Sequence, residues 1–220
     1  MDATEHFVAL VRGPQDQLRL DQAALWLAAH AQPDLDVDIE LARLDDIASA
    51  CLAPTFDALH RLLFAEMGLS GDTDDYHDPA NSFLNQVIDR RVGIPISLSV
   101  LVMEVGRRVG VELEGVGMPG HFLVRHPGPP VAVIDPFHRG RVMDVEDCAV
   151  LYRSVFGSGS SFSPSLLAAV SPRSILARML ANLQGCYAQR RDLAALVWVS
   201  RLRLAIPGLP AGELAGLSRL

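Results

Sequence analysis

Residues 93–110 read GIPISLSVLVMEVGRRVG, residues 120–126 GHFLVRH and residues 131–137 VAVIDPF, and the order of these three pieces decides the fold. Pro95 suits the first turn of a helix, where its missing N–H has no intrahelical partner to lose. From Ile96 to Val109 the pattern is apolar almost all round, with Leu98, Val100, Leu101, Val102, Met103 and Val105, which marks a core helix rather than a surface one. The next two pieces read as neighbouring strands. If His126 to Pro130 form a tight hairpin centred on Gly128, His121 faces Asp135. Opposed residues on one face of an antiparallel pair have Cβ atoms roughly 5 Å apart, close enough for an imidazole to hydrogen-bond a carboxylate. A slip of one residue would put the two groups on opposite faces.

A His–Asp pair on adjacent strands is more often structural than catalytic, so its surroundings carry the functional reading. The N-terminus of the helix offers unpaired N–H groups and the positive end of the dipole, suited to an anion or a developing oxyanion. Ser97 and Ser99 are its nearest hydroxyls.

The run from Asn81, NSFLNQVIDRRVGIPISLSVLVMEVGRRVGVELEGVGMPGHFLVRH, followed by VIDPF, closely resembles the SirB-type branch of the transglutaminase-like superfamily. The likeness extends upstream through LARLDDIA and LLFAEMGLSGDTDDYHDPANS, and downstream into a tetratricopeptide-like helix pair. It implies an α+β fold with a transglutaminase- or papain-like core: a buried helix packed on a small antiparallel sheet, a helical N-terminal part (1–82), the core itself (83–156) and C-terminal helices (162–220). His121 and Asp135 match the superfamily's histidine and aspartate. A member is expected to show Gly-x-Cys at the helix start, whereas this chain has Gly93-Ile94-Pro95. Without a thiolate there, the covalent acyl-enzyme route is closed. Ser97 is the candidate substitute nucleophile, although two helical positions rotate it roughly 200° about the axis.

Cys51, Cys148 and Cys186 form an odd, widely spaced set without metal-ligand spacing, which suggests reduced thiols. Cys148, just after the VIDPF strand, is the one nearest the site in sequence; Cys51 and Cys186 read as small core residues. The residues expected to border the cleft and bind a ligand are Pro95, Ile96, Tyr76, His77, Asn81 and His138. The acidic segment from Ser70 to Ser82 lacks EF-hand spacing and reads as a solvated loop. His77, His121, Asp135 and His138 are a weak metal set, because only His121 with Asp135 has ligand spacing. No metal or cofactor is expected.

At 220 residues, 50% of them hydrophobic, the chain is long enough for one sizeable core with helical additions. Its net charge of −7 argues against a general nucleic-acid or membrane-surface binder. The start, MDATEHFVAL, lacks a positive region followed by an apolar run, so a cytoplasmic location is expected. Gln17 to Gly68 has helical spacing, with Gly68 as a stop. Ser171-Pro172 opens another helix with the stripe Leu176, Leu180, Leu183, Tyr187. The following stripe is expected to be Leu193, Leu196, Val197, Ser200 and Leu204, ending at Pro207, and this pair is expected to pack on the core rather than form a peptide groove. Arg107 and Arg108 are read as cations favoured by the core helix's C-terminus. Two functional classes follow. One is a pseudoenzyme whose cleft binds a peptide, a small molecule or a protein partner. The other is a hydrolase, lyase or acyltransferase of altered mechanism, with His121 as general base oriented by Asp135.

Overall fold

The apolar run after Pro95 folds into one long helix, and most of the remaining chain is arranged to bury it. The structure is a computed structural model that describes residues 2–128 and 132–209. Its helices are α1 (Ala3–Arg12), α2 (Leu20–Ala29), α3 (Val37–Ser49), α4 (Phe56–His60), α5 (Leu84–Arg90), α6 (Pro95–Val109), α7 (Val145–Phe156), α8 (Pro172–Arg190) and α9 (Leu193–Ala205). Its strands are β1 (Ser70–Gly71), β2 (Val92–Gly93), β3 (Glu114–Val116), β4 (Leu123–His126), β5 (Ala132–Asp135) and β6 (Arg141–Met143). Among the described residues, no helix is long and apolar enough to cross a membrane.

Pro95 is the first residue of α6, and Gly110, at φ 85°, ends the helix in the left-handed conformation that glycine adopts without strain. Ile96, Leu98, Val100, Leu101, Val102 and Val105 are all at most 1% exposed. Helices α2, α3, α5 and α8 and strands β3 and β4 pack around them. The strands form an antiparallel sheet in the order β3-β4-β5-β6. Alternation along the strands sends Val124 and Ile134 into the main core with α6. Leu123, Val133 and Met143 point to a second cluster with Val116 and Cys148. The architecture is therefore α+β, with a small antiparallel sheet and a buried helix.

Two expectations need correcting. Val124 pairs with Ile134 and Arg125 with Val133, so paired residue numbers sum to 258 rather than the 256 expected, and His121 lies ahead of β4 instead of on a strand. The slip is two residues, which preserves facing, whereas a slip of one would have inverted it. Pro129 and Pro130 of the expected turn lie outside the described residues. On α9, Leu193, Val197 and Leu204 are 73%, 51% and 64% exposed, while Ala195, Leu196, Val199 and Leu202 are buried. That helix carries apolar residues on both faces, so periodicity could not choose between them. Other boundaries agree: the helical run after α4 continues through a π-helical turn, Arg61–Glu66, and stops before Gly68, while α8 opens with Ser171 accepting a hydrogen bond from the Ser174 amide. The α8 stripe is buried in the main core, and α8 packs on α6 and α2.

The C-terminal end of α6 carries an ion network that sequence reading reduced to a dipole effect. Asp21 of α2 is fully buried, and Arg108 donates to it at 2.7 Å, to Asp45 of α3 at 2.6 Å and to Glu104 at 3.2 Å. Arg107 bonds Asp21 and Glu104 as well. Burial alone would raise the Asp21 carboxyl, but the Arg108 hydrogen bond, the Gln22 amide and the charges of Arg19 and Arg108 outweigh it and hold the group below the usual carboxylate range. Burial, then the charge of Asp21, pushes Glu104 the other way.

Removing one partner of a buried pair leaves the other charge uncompensated, so Asp21→Asn should destabilise the protein by about 3 kcal/mol near pH 7. Because Asp21 has a folded-state pKa below its unfolded value of about 3.9, its stabilisation is complete above that pH and disappears as the pH falls through the folded value. Glu104 acts in the opposite sense, and the variant loses the part of that shift caused by the Asp21 charge. Urea denaturation of the two proteins should therefore show a gap that is widest near neutrality and closes below about pH 4; a constant gap would contradict the linkage.

Candidate functional site

The start of α6 is built by close backbone approach. Ser70 pairs with Val92 and Gly71 with Gly93, in parallel, and the Asp72 amide donates to Gly93 O at 3.0 Å. A side chain at Gly93 would stand 2.8 Å from Ser97 Oγ, so only glycine lets the loop pass. The Ser97 hydroxyl accepts the Ile94 amide hydrogen at 3.2 Å and donates to the Asn81 carbonyl. It is fully buried. Ser97 is thus a cap for the helix, and its expected role as substitute nucleophile finds no free hydroxyl. Ser99 is likewise committed, donating to Pro95 O at 2.7 Å.

One strand away stands a cluster centred on Asp135, which is 1% exposed. Its Oδ1 accepts from His121 Nε2 at 2.9 Å and from the amides of Phe137 and His138 at 3.0 and 3.3 Å; its Oδ2 is 2.7 Å from His138 Nδ1. Burial alone would raise this carboxyl. The hydrogen bonds and charges of His121, then of His138, hold it below its ordinary value. His121 is itself held in place: its amide donates to Met118 O at 3.1 Å and its carbonyl accepts from Arg178 of α8 at 2.8 Å. With Nε2 turned to the carboxylate, Nδ1 is the nitrogen left for chemistry.

Phe137 joins this cluster to the helix start. Its carbonyl accepts the Gly71 amide at 2.7 Å, and a Cβ on Gly71 would lie 2.3 Å from its ring. His121 and Tyr76 meet the same ring edge-on, with centroids 6.1 and 6.0 Å away. Tyr76 and His77 are exposed, and with Ile94 and Cys186 they line a cavity of about 150 Å³. A larger one, about 520 Å³, is bordered by Gly71, Asp72, Val92, Phe137, His138 and Arg139.

Among the residues expected to border the cleft, Tyr76, His77 and His138 are accessible. Pro95, Ile96 and Asn81 are buried, so they shape the helix start and present a ligand with no exposed side chain. Cys148 is enclosed, and burial, then the charge of Asp147, pushes its thiol up to about 11, which leaves almost no thiolate near neutrality. The acidic loop is committed internally: Asp72 accepts from the amides of Asp74 and Asp75, and both Asp72 and Asp78 pair with Arg90 at 3.1 Å. Metal-ligand atoms of His121, Asp135 and His138 all lie within 4.8 Å of one another, while His77 stands outside that set. Sequence reading missed Phe137 and Arg178 as parts of the site. The first follows Asp135 by two residues and was legible as a neighbour; nothing in the sequence points from α8 to the His121 carbonyl.

The description of the transglutaminase-like superfamily matches residues 18–181. A UPF0162 protein of Xylella fastidiosa (strain Temecula1) is 39% identical over 211 residues, covering 89% of this chain and 74% of that protein. A UPF0162 protein of Pseudomonas aeruginosa is 36% identical over 194 residues, covering 83% and 70%. F-box only protein 21 of Homo sapiens is 33% identical over 136 residues, 58% of this chain and 21% of its own length. No solved structure matches the chain. With most of its length under one family description and long relatives sharing more than a third of their aligned residues, the chain belongs to the transglutaminase-like superfamily, alongside the UPF0162 proteins.

Proposed function

We propose that this chain is a transglutaminase-like binding protein that has left the cysteine acyl-transfer route and holds a peptide, a small molecule or a segment of a protein partner around Phe137. The observation that carries this reading is Pro95, buried at the first position of α6 where the superfamily needs a nucleophile. A covalent acyl intermediate requires an attacking hydroxyl or thiolate. The hydroxyl of Ser97 is sealed by Asn81 and Ile94, and the thiol of Cys148 is buried and held protonated. What remains accessible is recognition surface: Tyr76 and His138 flank the Phe137 ring, His77 stands against Tyr76, and the 520 Å³ hollow opens beside Phe137 and His138. The hollow is lined mostly by polar residues, with Asp72, Asp74 and Arg139 beside Phe137 and Val92, and so offers hydrogen-bonding and charged groups around one aromatic face.

One observation favours a second reading, an enzyme of altered mechanism. His121 keeps the tautomer-fixing bond to Asp135 and so leaves Nδ1 as an oriented base, able to take a proton from a water or a substrate. A hydrolase, lyase or acyltransferase working this way needs no protein nucleophile.

The two readings differ in what His121→Ala removes. On the binding reading the variant keeps its far-UV spectrum and weakens capture of a binding peptide, selected from a fluorescent library, by roughly tenfold or less, the worth of one hydrogen bond. On the enzymatic reading, loss of a general base costs about 10²–10⁴-fold in rate. A screen of amide, ester and thioester substrates that finds turnover abolished in both His121→Ala and Asp135→Asn would replace the first reading with the second.

Thiol chemistry supplies an independent expectation. Alkylating the accessible thiols with iodoacetamide under native conditions should leave binding unchanged. Loss of function on labelling Cys148 alone, with the circular-dichroism spectrum intact, would put a nucleophile back into the site.

A further inference from the structure

The superfamily's histidine and aspartate account for only one oxygen of Asp135. The other oxygen is taken by His138, a residue three positions later whose side chain is more than half exposed. Two imidazole nitrogens therefore converge on the two oxygens of a single buried carboxylate, and all three ligand atoms lie within 4.8 Å of one another. We propose that His121 Nε2, Asp135 and His138 Nδ1 form a binding site for a divalent transition-metal ion of the zinc class. The proposal goes beyond the peptide-binding reading and does not depend on it.

Donor chemistry selects the class of ion. Imidazole nitrogen suits zinc, copper, iron and nickel, whereas calcium takes six to eight oxygens and magnesium a near-octahedral oxygen shell, which one carboxylate cannot supply. Zinc bonds nitrogen and carboxylate oxygen at about 2.0–2.2 Å, so a tetrahedral arrangement places its donor atoms about 3.4 Å apart. The His121–Asp135 and His138–Asp135 contacts, 2.9 and 2.7 Å, need to open by about 0.5 and about 0.7 Å to reach that spacing. Two of the ligands are already held in place. The main chain of His121 is tied to Met118 and Arg178 through its amide and carbonyl, and the Asp135 carboxylate accepts from the amides of Phe137 and His138. The third, His138, is free to adjust because its ring faces solvent.

Access and vacancy in the coordination shell are also provided. A cavity of about 230 Å³ opens beside Asp135 and His138, walled by Met143, Val150, Leu151, Ser154 and the ion pair of Arg141 with Asp147. Three protein ligands with an open side are the pattern of a metal that keeps a position for water or a ligand. On binding, each coordinating nitrogen presents its lone pair, so the ring proton resides on His121 Nδ1 and His138 Nε2, and two nitrogen–metal bonds replace two hydrogen bonds to the carboxylate. While the ion is bound, Nδ1 of His121 carries a proton and cannot act as a base. The ion and a general-base dyad are therefore mutually exclusive uses of the same residues.

The test uses the full chain stripped with EDTA and titrated with zinc chloride by calorimetry, and with cobalt(II) by visible absorption. One equivalent should bind with micromolar affinity or better, and cobalt should give the intense d–d bands of a four- or five-coordinate site. His138→Ala, which leaves the His121–Asp135 pair intact at an exposed position, should weaken zinc by at least about tenfold with an unchanged far-UV spectrum, since even an outer-sphere loss commonly costs that much. His77→Ala should bind as the wild type does, and excess calcium should not compete. Absence of a stoichiometric zinc complex, an unchanged affinity in His138→Ala, or competition by calcium would each overturn the proposal. Because the readout is the metal on the free protein, such a failure leaves the peptide-binding reading untouched.

Discussion

A helix that is apolar on every side has no stable place at a surface, and the rest of this structure follows from enclosing α6. Each of its buried Ile, Leu and Val side chains is worth about 1.5–3 kcal/mol relative to exposure, and the six most enclosed are contributed by successive turns facing different neighbours. No single sheet or helix can cover such a cylinder. Helices α2, α3 and α5 cover it on some sides, β3 and β4 on another, and α8 closes the remainder. The main core consequently runs from Phe7 near one end of the chain to Ile206 near the other. The polar groups that α6 does carry must be paired within that enclosure. Glu104, Arg107 and Arg108 find Asp21 and Asp45 on the helices packed against them, so the same contacts that bury the apolar face also decide where α2 and α3 lie.

The start of α6 is joined to the site through backbone. Gly71 and Gly93 bring β1 and β2 close enough for main-chain hydrogen bonds to run from Phe137 to the loop that opens α6. Any Cβ at Gly71 would enter the Phe137 ring, so the aromatic platform and the glycine require each other. Asp135 then acts as the knot. A buried carboxylate is costly unless its charge is matched by donors, and here four hydrogen bonds from two imidazoles and two amides satisfy it. The arrangement fixes the orientation of His121 and, through the same carboxylate, draws His138 into reach.

The same bonds give His121 and Asp135 structural work in this fold. Asp135 holds the turn after β5, and His121 ties the start of β4 to α8 through its carbonyl and Arg178. The proposed uses, recognition around Phe137, proton transfer at Nδ1 or coordination of an ion, would all draw on groups that the fold already holds in place.

The identity of the core helix, its start at Pro95, the two strands that follow and the alternation along them were legible in the sequence, because each is written in a local period of 2 or 3.6 residues. The facing of His121 and Asp135 was legible too, though its stated register was wrong by two residues, since a turn of unspecified geometry sets the offset while parity alone sets the face. The outward face of α9 was misread because Leu193, Val197 and Leu204 satisfy the same period as the buried stripe. Tertiary structure alone decided that Arg108 reaches Asp21, that Arg178 reaches the carbonyl of His121, that Ser97 is sealed by Asn81, and that His138 shares the carboxylate of Asp135. Each of these partnerships depends on how separate elements pack or how a turn folds back, and a periodicity that records which residues face inward does not record what they meet there.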